Sequence, residues 1–361
     1  MPKSVPHNRL TFGEPECEAV LRTVRSGQWA QGPRVRELET ALTRLSGVRH
    51  AVCVASGLAA LRLTLGGMGI RAGDSVLVPA YSCVALANSV LAWGANPVPV
   101  EVDSADWNIK PEQCRAQAES SRPLAVIAVN TFGAPAPVEE LSIGGVPVIE
   151  DCAHGFRAGT LGSQSGEPWL RLRAQVGIFS FYATKLMGGG EGGAVLTNSD
   201  QIAEYVRSAR DYADQFADGH RMNDKMTDLE ASLVLAQLER LPEMIALRET
   251  IANRYLEQLA DPKFSRIFRL PPRTEERVWY RFAVEMLATS AQRVIERLKR
   301  YGVDAAVPVT DWRPAGSATA PNAERAYRML VSLPLYPTLT VDEQQAVVEA
   351  FLKACQDDAS A

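Results

Sequence analysis

No two of the six cysteines (Cys17, Cys53, Cys83, Cys114, Cys152 and Cys355) form a C-x-x-C pair. That absence argues against a zinc site. Several of them lie inside apolar runs, where a free thiol behaves as a small buried hydrophobe. The expectation is a reduced, cytoplasmic protein that holds no metal. A basic excess is missing too, since the formal net charge is -4. No nucleic-acid partner is expected from that balance. Met1 to Leu10 lacks the apolar core of a signal peptide. One uncharged stretch, Ser75 to Val100, is long enough to cross a bilayer. Pro79, Pro97 and Pro99 break it into a strand, helix, strand pattern, so no membrane span is expected. Internal repeats and low-complexity segments are absent as well.

What is present fits a globular chain. The 361 residues are 46% hydrophobic and 22% charged, enough for about two domains with a large core. Thr11-x-x-Glu14 has the form of a capping box ahead of a helix over Glu18–Arg25 that stops at Gly27. A second helix runs to Leu45. Seven short β-rich runs follow: His50–Ser56, Ser75–Tyr81, Pro97–Asp103, Leu124–Asn130, Val146–Cys152, Val176–Phe181 and Gly193–Thr197. Continuous Val/Ile/Leu runs suit strands buried on both faces. Their alternation with helices predicts an α/β fold with an open, mostly parallel sheet, and the short connections leave room for an antiparallel strand.

Beyond Asn198 the pattern predicts helices over Gln201–Asp211, Asp228–Glu239 and Glu243–Leu259. A strand over Val278–Met286 and a helix over Ala291–Tyr301 come next. After a further strand, Thr340-x-x-Glu343 opens the last helix. A domain change near residue 241, inside a helical connection rather than a floppy linker, divides the chain into a large domain, 1–240, and a small C-terminal α/β domain, 241–361.

Three strand ends carry chemistry. In Phe179-Ser-Phe-Tyr-Ala-Thr-Lys185, followed by Leu-Met-Gly-Gly-Gly-Glu-Gly-Gly193, a lysine sits between an apolar strand and five glycines. Glycine permits positive φ and close approach of backbone to a ligand. A lysine desolvated there falls below its usual pKa of about 10.4, and a neutral amine can form a Schiff base with an aldehyde. Ser180 offers a hydroxyl to an anion. Val148-Ile-Glu-Asp-Cys-Ala-His154 places Asp151 at a buried strand end, where open α/β sheets bind ligands. That carboxylate can pair with the protonated pyridine nitrogen of pyridoxal phosphate. Ala55-Ser56-Gly57-Leu58 turns a strand into a helix, whose first amides make an anion seat. Each part has a plainer reading: a solvated lysine, a capping aspartate, a structural histidine, an ordinary helix start. The three in order, each at a strand end, are specific where the parts are not.

Together these residues resemble the DegT/DnrJ/StrS family of sugar aminotransferases, pyridoxal-phosphate enzymes of fold type I. The likeness runs from Ser26-Gly-Gln-Trp-Ala-Gln-Gly-Pro33 through Ser56-Gly57, Pro79-Ala-Tyr81 and Glu150-Asp-x-Ala-His154 to the lysine and Gly190-Glu-Gly-Gly193 block. It ends with Asn223-x-Lys-Met226, Ala236-Gln-Leu-Glu239 and Ser332-Leu-Pro-Leu335. The family fold is a large α/β/α domain with a mostly parallel seven-stranded sheet, plus a smaller C-terminal α/β domain. The resemblance implies that Lys185 holds pyridoxal 5′-phosphate as an internal aldimine and shuttles the proton. Asp151 would bind the ring nitrogen, and His154 would lie near the ring and its 3′-oxygen. Ser56, Gly57, Leu58 and Ser180 would form the phosphate seat, and Asn223 would reach it from the neighbouring subunit of a homodimer with shared active sites.

The chain departs from the family at Leu58, where threonine is usual, and at Cys83, where an aromatic residue usually stacks on the ring. Tyr81 is the alternative ring neighbour. Lys225 stands in place of an arginine, and Val307–Pro314 replaces a His-rich acceptor loop. The implied reaction moves an amino group from L-glutamate or glutamine to a keto-sugar, in the first place a nucleotide-linked 4-keto sugar. A non-nucleotide keto-sugar, a ketocyclitol or a non-catalytic role is the alternative. Arg157, Arg221, Lys225, Arg281 and Arg313 are the candidate contacts for an acceptor phosphate.

Overall fold

The computed structural model describes residues 4–158, 170–213, 220–274, 276–314 and 319–356. All seven predicted runs form strands: β1 (His50–Val54), β2 (Ser75–Pro79), β3 (Asn96–Val100), β4 (Ala125–Val129), β5 (Val148–Asp151), β6 (Val176–Ser180) and β7 (Gly193–Thr197). They make one sheet in the order β1-β7-β6-β5-β4-β2-β3. β7 pairs antiparallel with both neighbours, and every other pairing is parallel. This is the open, mostly parallel α/β sheet with an antiparallel strand that the sequence pattern predicts.

Strand alternation builds the layers. One face of the sheet buries Val52, Val54, Val76, Val78, Ile149 and Ile178 against α3 (Gly57–Gly67), α4 (Val84–Leu91) and, later in the chain, Asp200–Ala209. Toward the β1 side, the other face packs Cys53, Phe179 and Leu196 against Leu38 and Leu42 of α2 (Pro33–Ser46). Each such leucine contributes roughly 1.5–3 kcal/mol of burial.

Three expectations are corrected. Thr11 and Glu14 do not form the first cap. α1 spans Glu14–Ser26, and the Gly13 amide donates to Glu16 Oε2 at 2.7 Å. Glu16 is fixed there by Gln237 and Arg240, so its carboxylate is already in place. The two helices predicted on either side of residue 241 are one helix of 32 residues, Asp228–Leu259, with Pro242 inside. Its two ends bury apolar faces in different cores, around Val234 and around Tyr255. That burial outweighs the hydrogen bond that proline removes. The helical connection expected at the domain change near residue 241 is thus one continuous helix. Finally, the strand predicted over Val278–Met286 is strand only at Phe282–Met286.

That shorter strand belongs to an antiparallel sheet of Phe268–Arg269, Phe282–Met286 and Leu330–Leu333, covered by helices Ala291–Arg300 and Val341–Gln356. Thr340 and Glu343 cap the last helix reciprocally, as predicted. The start of the chain joins this second core. Val5 is buried in it, and Arg9 pairs with Glu343 at 2.6 Å. All six cysteines are free. Among the described residues, no helix is long and apolar enough to cross a membrane, and no acidic, His or Cys cluster could hold a metal.

Candidate active site

β1, β2, β4, β5 and β6 all point the same way, so their carboxyl ends share one edge of the sheet. A cavity of about 250 Å³ opens there. Gly57 and Leu58 line it after β1, Tyr81 and Cys83 after β2, Phe132 after β4, Asp151 and His154 around β5, and Ser180 and Lys185 after β6. Ligands of open α/β sheets bind at this edge. Two predicted residues lie elsewhere. Ser56 Oγ accepts from the Ala59 amide at 3.1 Å, so its side chain caps α3. Asn223 is exposed on a surface segment outside the cavity. Its neighbour Asp224 pins that segment, by an ion pair to Arg62 and by its carbonyl, which accepts from Ala55 N at 2.7 Å.

One end of the cavity is shaped by a close approach. A Cβ on Gly57 would come within 2.9 Å of the Ser180 Cβ, so glycine lets α3 start directly beside Ser180. The first backbone bond of α3 is Ala60 N to Ser56 O at 3.0 Å. The Gly57 and Leu58 amides precede it and have no intrahelical acceptor, the ordinary state of a helix start that binds an anion. After Lys185 the chain turns back with Gly190 and Gly192 at positive φ, as the glycine run demands.

At the far end Asp151 is 4% exposed, and its Oδ1 accepts from Ala153 N at 2.9 Å. No cation pairs with it among the described residues. Burial raises its pKa, partly offset by that amide and by the Lys185 charge. His154 is held well below its usual value by burial, then by the charges of Lys185 and Arg281. Its imidazole is neutral, and Nδ1 is buried without a partner. The Tyr81 hydroxyl is likewise buried and unpartnered, and burial pushes its pKa up. A pyridine ring with a charged nitrogen and a hydroxyl substituent answers the Asp151 carboxylate and the His154 nitrogen, and a phosphate answers the free amides of the helix start. The residues present therefore fit pyridoxal 5′-phosphate.

Two aromatic residues complete the site without a sequence signal of their own. Phe132, at φ 53, stacks on His154 with centroids 5.9 Å apart. Tyr280 stacks on His154 at 4.6 Å, and Lys185 Nζ lies 4.9 Å from its ring centroid. Tyr280 comes from the segment that leaves the expected strand. Residues 278–280 cross to the large sheet, with Val278 N on Gly133 O at 3.1 Å and Tyr280 N on Phe132 O at 3.4 Å. Gly133 has φ +90, and a Cβ there would sit 1.6 Å from the Val278 carbonyl oxygen. Only glycine admits that crossing, and only the tertiary contact reveals its purpose.

The chain matches the DegT/DnrJ/EryC1/StrS aminotransferase family over residues 11–352. It belongs to that family. The aminotransferase TlmJ from Streptoalloteichus hindustanus is 26% identical and superposes with a TM-score of 0.89, covering 99% of this chain and 100% of that one. DesV from S. venezuelae, solved in complex with a ketimine intermediate, is 29% identical with a TM-score of 0.79 and 94% of each chain covered. A DegT/DnrJ/EryC1/StrS aminotransferase from Brucella abortus is 26% identical, with a TM-score of 0.82 and coverage of 94% and 95%. This family member is accordingly a pyridoxal-phosphate-dependent aminotransferase, and the cavity at the sheet edge fits its cofactor.

Proposed function

We propose that the chain moves an amino group from L-glutamate, or L-glutamine, to a keto-sugar, in the first place a nucleotide-linked 4-keto sugar. The observation that supports the site is a half-buried amine and a buried, unpaired carboxylate lining one cavity that also takes in a helix start. Pyridoxal 5′-phosphate, when bound, supplies an aldehyde for an amine and an electron-poor ring that stabilises negative charge on the adjoining carbon. Lys185 Nζ is the amine for that aldehyde, and it moves the proton at the substrate carbon. Asp151 keeps a proton on the ring nitrogen. The Gly57 and Leu58 amides and Ser180 Oγ hold the phosphate, and His154 Nδ1 takes the ring oxygen. Tyr81 and Cys83 border the ring, and Ser56 acts through the helix it caps.

One observation favours an acceptor without nucleotide phosphates. Arg221 Nη1 donates to Ser208 O and Oγ, both at 2.9 Å. Lys225 pairs with Asp211 at 2.7 Å, and Arg313 with Asp311 at 2.8 Å. Three of the five candidate phosphate contacts are thus engaged, which suits a bare keto-sugar or ketocyclitol, while the Arg157 side chain lies outside the described residues.

An absorption spectrum taken before and after adding L-glutamate tests the proposal. The expected result is a visible band that fades as a near-ultraviolet band grows. Absence of any band after reconstitution with pyridoxal 5′-phosphate would mean that Leu58 and Cys83 mark a lost site. A band indifferent to glutamate and glutamine would remove both donors.

The exposed Asn223 segment suits a homodimer with shared sites. Mixing equal amounts of Lys185→Ala and Asn223→Ala chains should restore roughly a quarter of wild-type activity, since half the dimers are mixed and each has one intact site. Activity no higher than that of the separate variants would place Asn223 outside the neighbour's site.

A further inference from the structure

Among the described residues, Arg281 is a cation near Lys185 that pairs with no carboxylate. It precedes the strand Phe282–Met286 and is half-buried. Its Cζ lies 5.2 Å from the Tyr280 ring centroid, and its Nη1 is 3.4 Å from His7 Nε2. No carboxylate lies within ion-pair distance among the described residues. Behind it, buried Arg248 donates to the carbonyls of Tyr280 (3.3 Å) and Leu335 (3.0 Å) and is satisfied by them. A small cavity of about 100 Å³ adjoins both guanidinium groups and is bordered by His7, Thr184, Tyr280 and Ser332.

We infer that Arg281 seats the carboxylate of the amino donor beside Lys185, an assignment that rests on the donor reading above. Position favours a carboxylate over an acceptor phosphate. Lys185 Nζ and Arg281 Cζ both lie within 5.2 Å of the centroid of one ring, that of Tyr280. In an α-amino acid the carboxylate is attached to the carbon that carries the reacting nitrogen. In a nucleotide-linked sugar the phosphates are several bonds from the ketone. The planar guanidinium fork also matches a carboxylate in two parallel hydrogen bonds.

His7 keeps the seat charged. Burial and the Arg281 charge press its pKa down to about 4. A neutral imidazole holds Arg281 without neutralising it, and Ser332 Oγ, 3.0 Å from the same Nε2, fixes the ring. The guanidinium is thus oriented by an uncharged acceptor and an aromatic face. Its charge is left for an incoming anion.

The test uses the holoenzyme and two probes. Decay of the visible cofactor band with L-glutamate gives the half-saturation concentration of the donor half-reaction, with no acceptor present. Glutarate, which has carboxylates but no amine, reports binding alone by calorimetry. Arg281→Gln should raise both constants on the order of 100-fold. Arg281→Lys, which keeps the charge and loses the fork, should raise them about 10-fold. Unchanged constants in Arg281→Gln overturn the assignment. A lower maximal rate with unchanged half-saturation also overturns it and shows a structural role. If the wild-type band ignores every amino acid tried, the donor reading fails on its own. Glutarate binding, lost in Arg281→Gln or retained, then still decides the seat.

Discussion

Lys185→Ala should lower turnover by at least about 10⁴-fold while the protein stays folded. In the proposed reaction the side chain has two functions, the amine for the cofactor's aldehyde and the base at the substrate carbon. His154 cannot substitute, because its imidazole is flanked by Phe132 and Tyr280. Asp151 is occupied by the role assigned to it at the ring nitrogen. Stability should change little, since the amine is half-buried and makes no ion pair among the described residues. Circular dichroism and the thermal midpoint check the fold, and initial rates check the loss. Added methylamine should restore part of the proton transfer and separate the base from the rest of the site. A variant that retains more than about 1% of wild-type turnover, a loss smaller than general acid–base chemistry alone supplies, would remove Lys185 from the reaction.

Asp151→Asn carries the second large effect, with opposite signs in two measurements. Turnover should fall about 10³-fold, and cofactor release should quicken, because an amide cannot hold a proton on the ring nitrogen. The cofactor-free protein should become more stable. Burial raises the Asp151 pKa, so the folded chain binds that proton more tightly than the unfolded chain does. Stability is therefore lost as pH rises from the unfolded value, about 3.9, through the higher folded value. Above that window the buried carboxylate is a standing cost, which a positively charged ring nitrogen removes. At pH 7 the cofactor-free Asp151→Asn protein should melt about 2 °C above cofactor-free wild type. Added pyridoxal 5′-phosphate should raise its midpoint less than it raises the wild type's. A lower midpoint for the cofactor-free variant would mean that protein groups alone satisfy this carboxylate.

The residues that fold locally were legible in the sequence. Seven short runs became seven strands, most of them Val- and Ile-rich and buried on both faces, and the edge strand Asn96–Val100 is only partly buried. Lys185, Asp151 and Gly57 could be placed because each follows directly from a strand end, and a parallel sheet gathers those ends on one edge. Errors came where distant contacts overrule local pattern. The two helices expected over Asp228–Glu239 and Glu243–Leu259 are one, because burial on both sides of Pro242 carries the helix through. Thr11 reads as a cap, yet Glu16, held by Gln237 and Arg240, closes over Gly13 instead.

Tyr280 marks the boundary between the two kinds of information. Its own stretch, Val278–Met286, reads as uniform strand. Only the Gly133 crossing lifts residues 278–280 out of the small sheet and lays Tyr280 against His154 and Lys185. Arg281 follows the same rule. Five cations were equal candidates along the chain. Asp211, Asp311 and Ser208 engage three of them in the folded protein, and Arg281 pairs with no carboxylate among the described residues. The sequence by itself determined the sheet, the lysine, the carboxylate and the family, because these are carried by patterns a few residues long. The tertiary structure decided the aromatic stack around His154 and the unspent guanidinium beside it. Those depend on Tyr280 meeting His154 and on Arg281 meeting His7, residues far apart in the chain that no local pattern brings together.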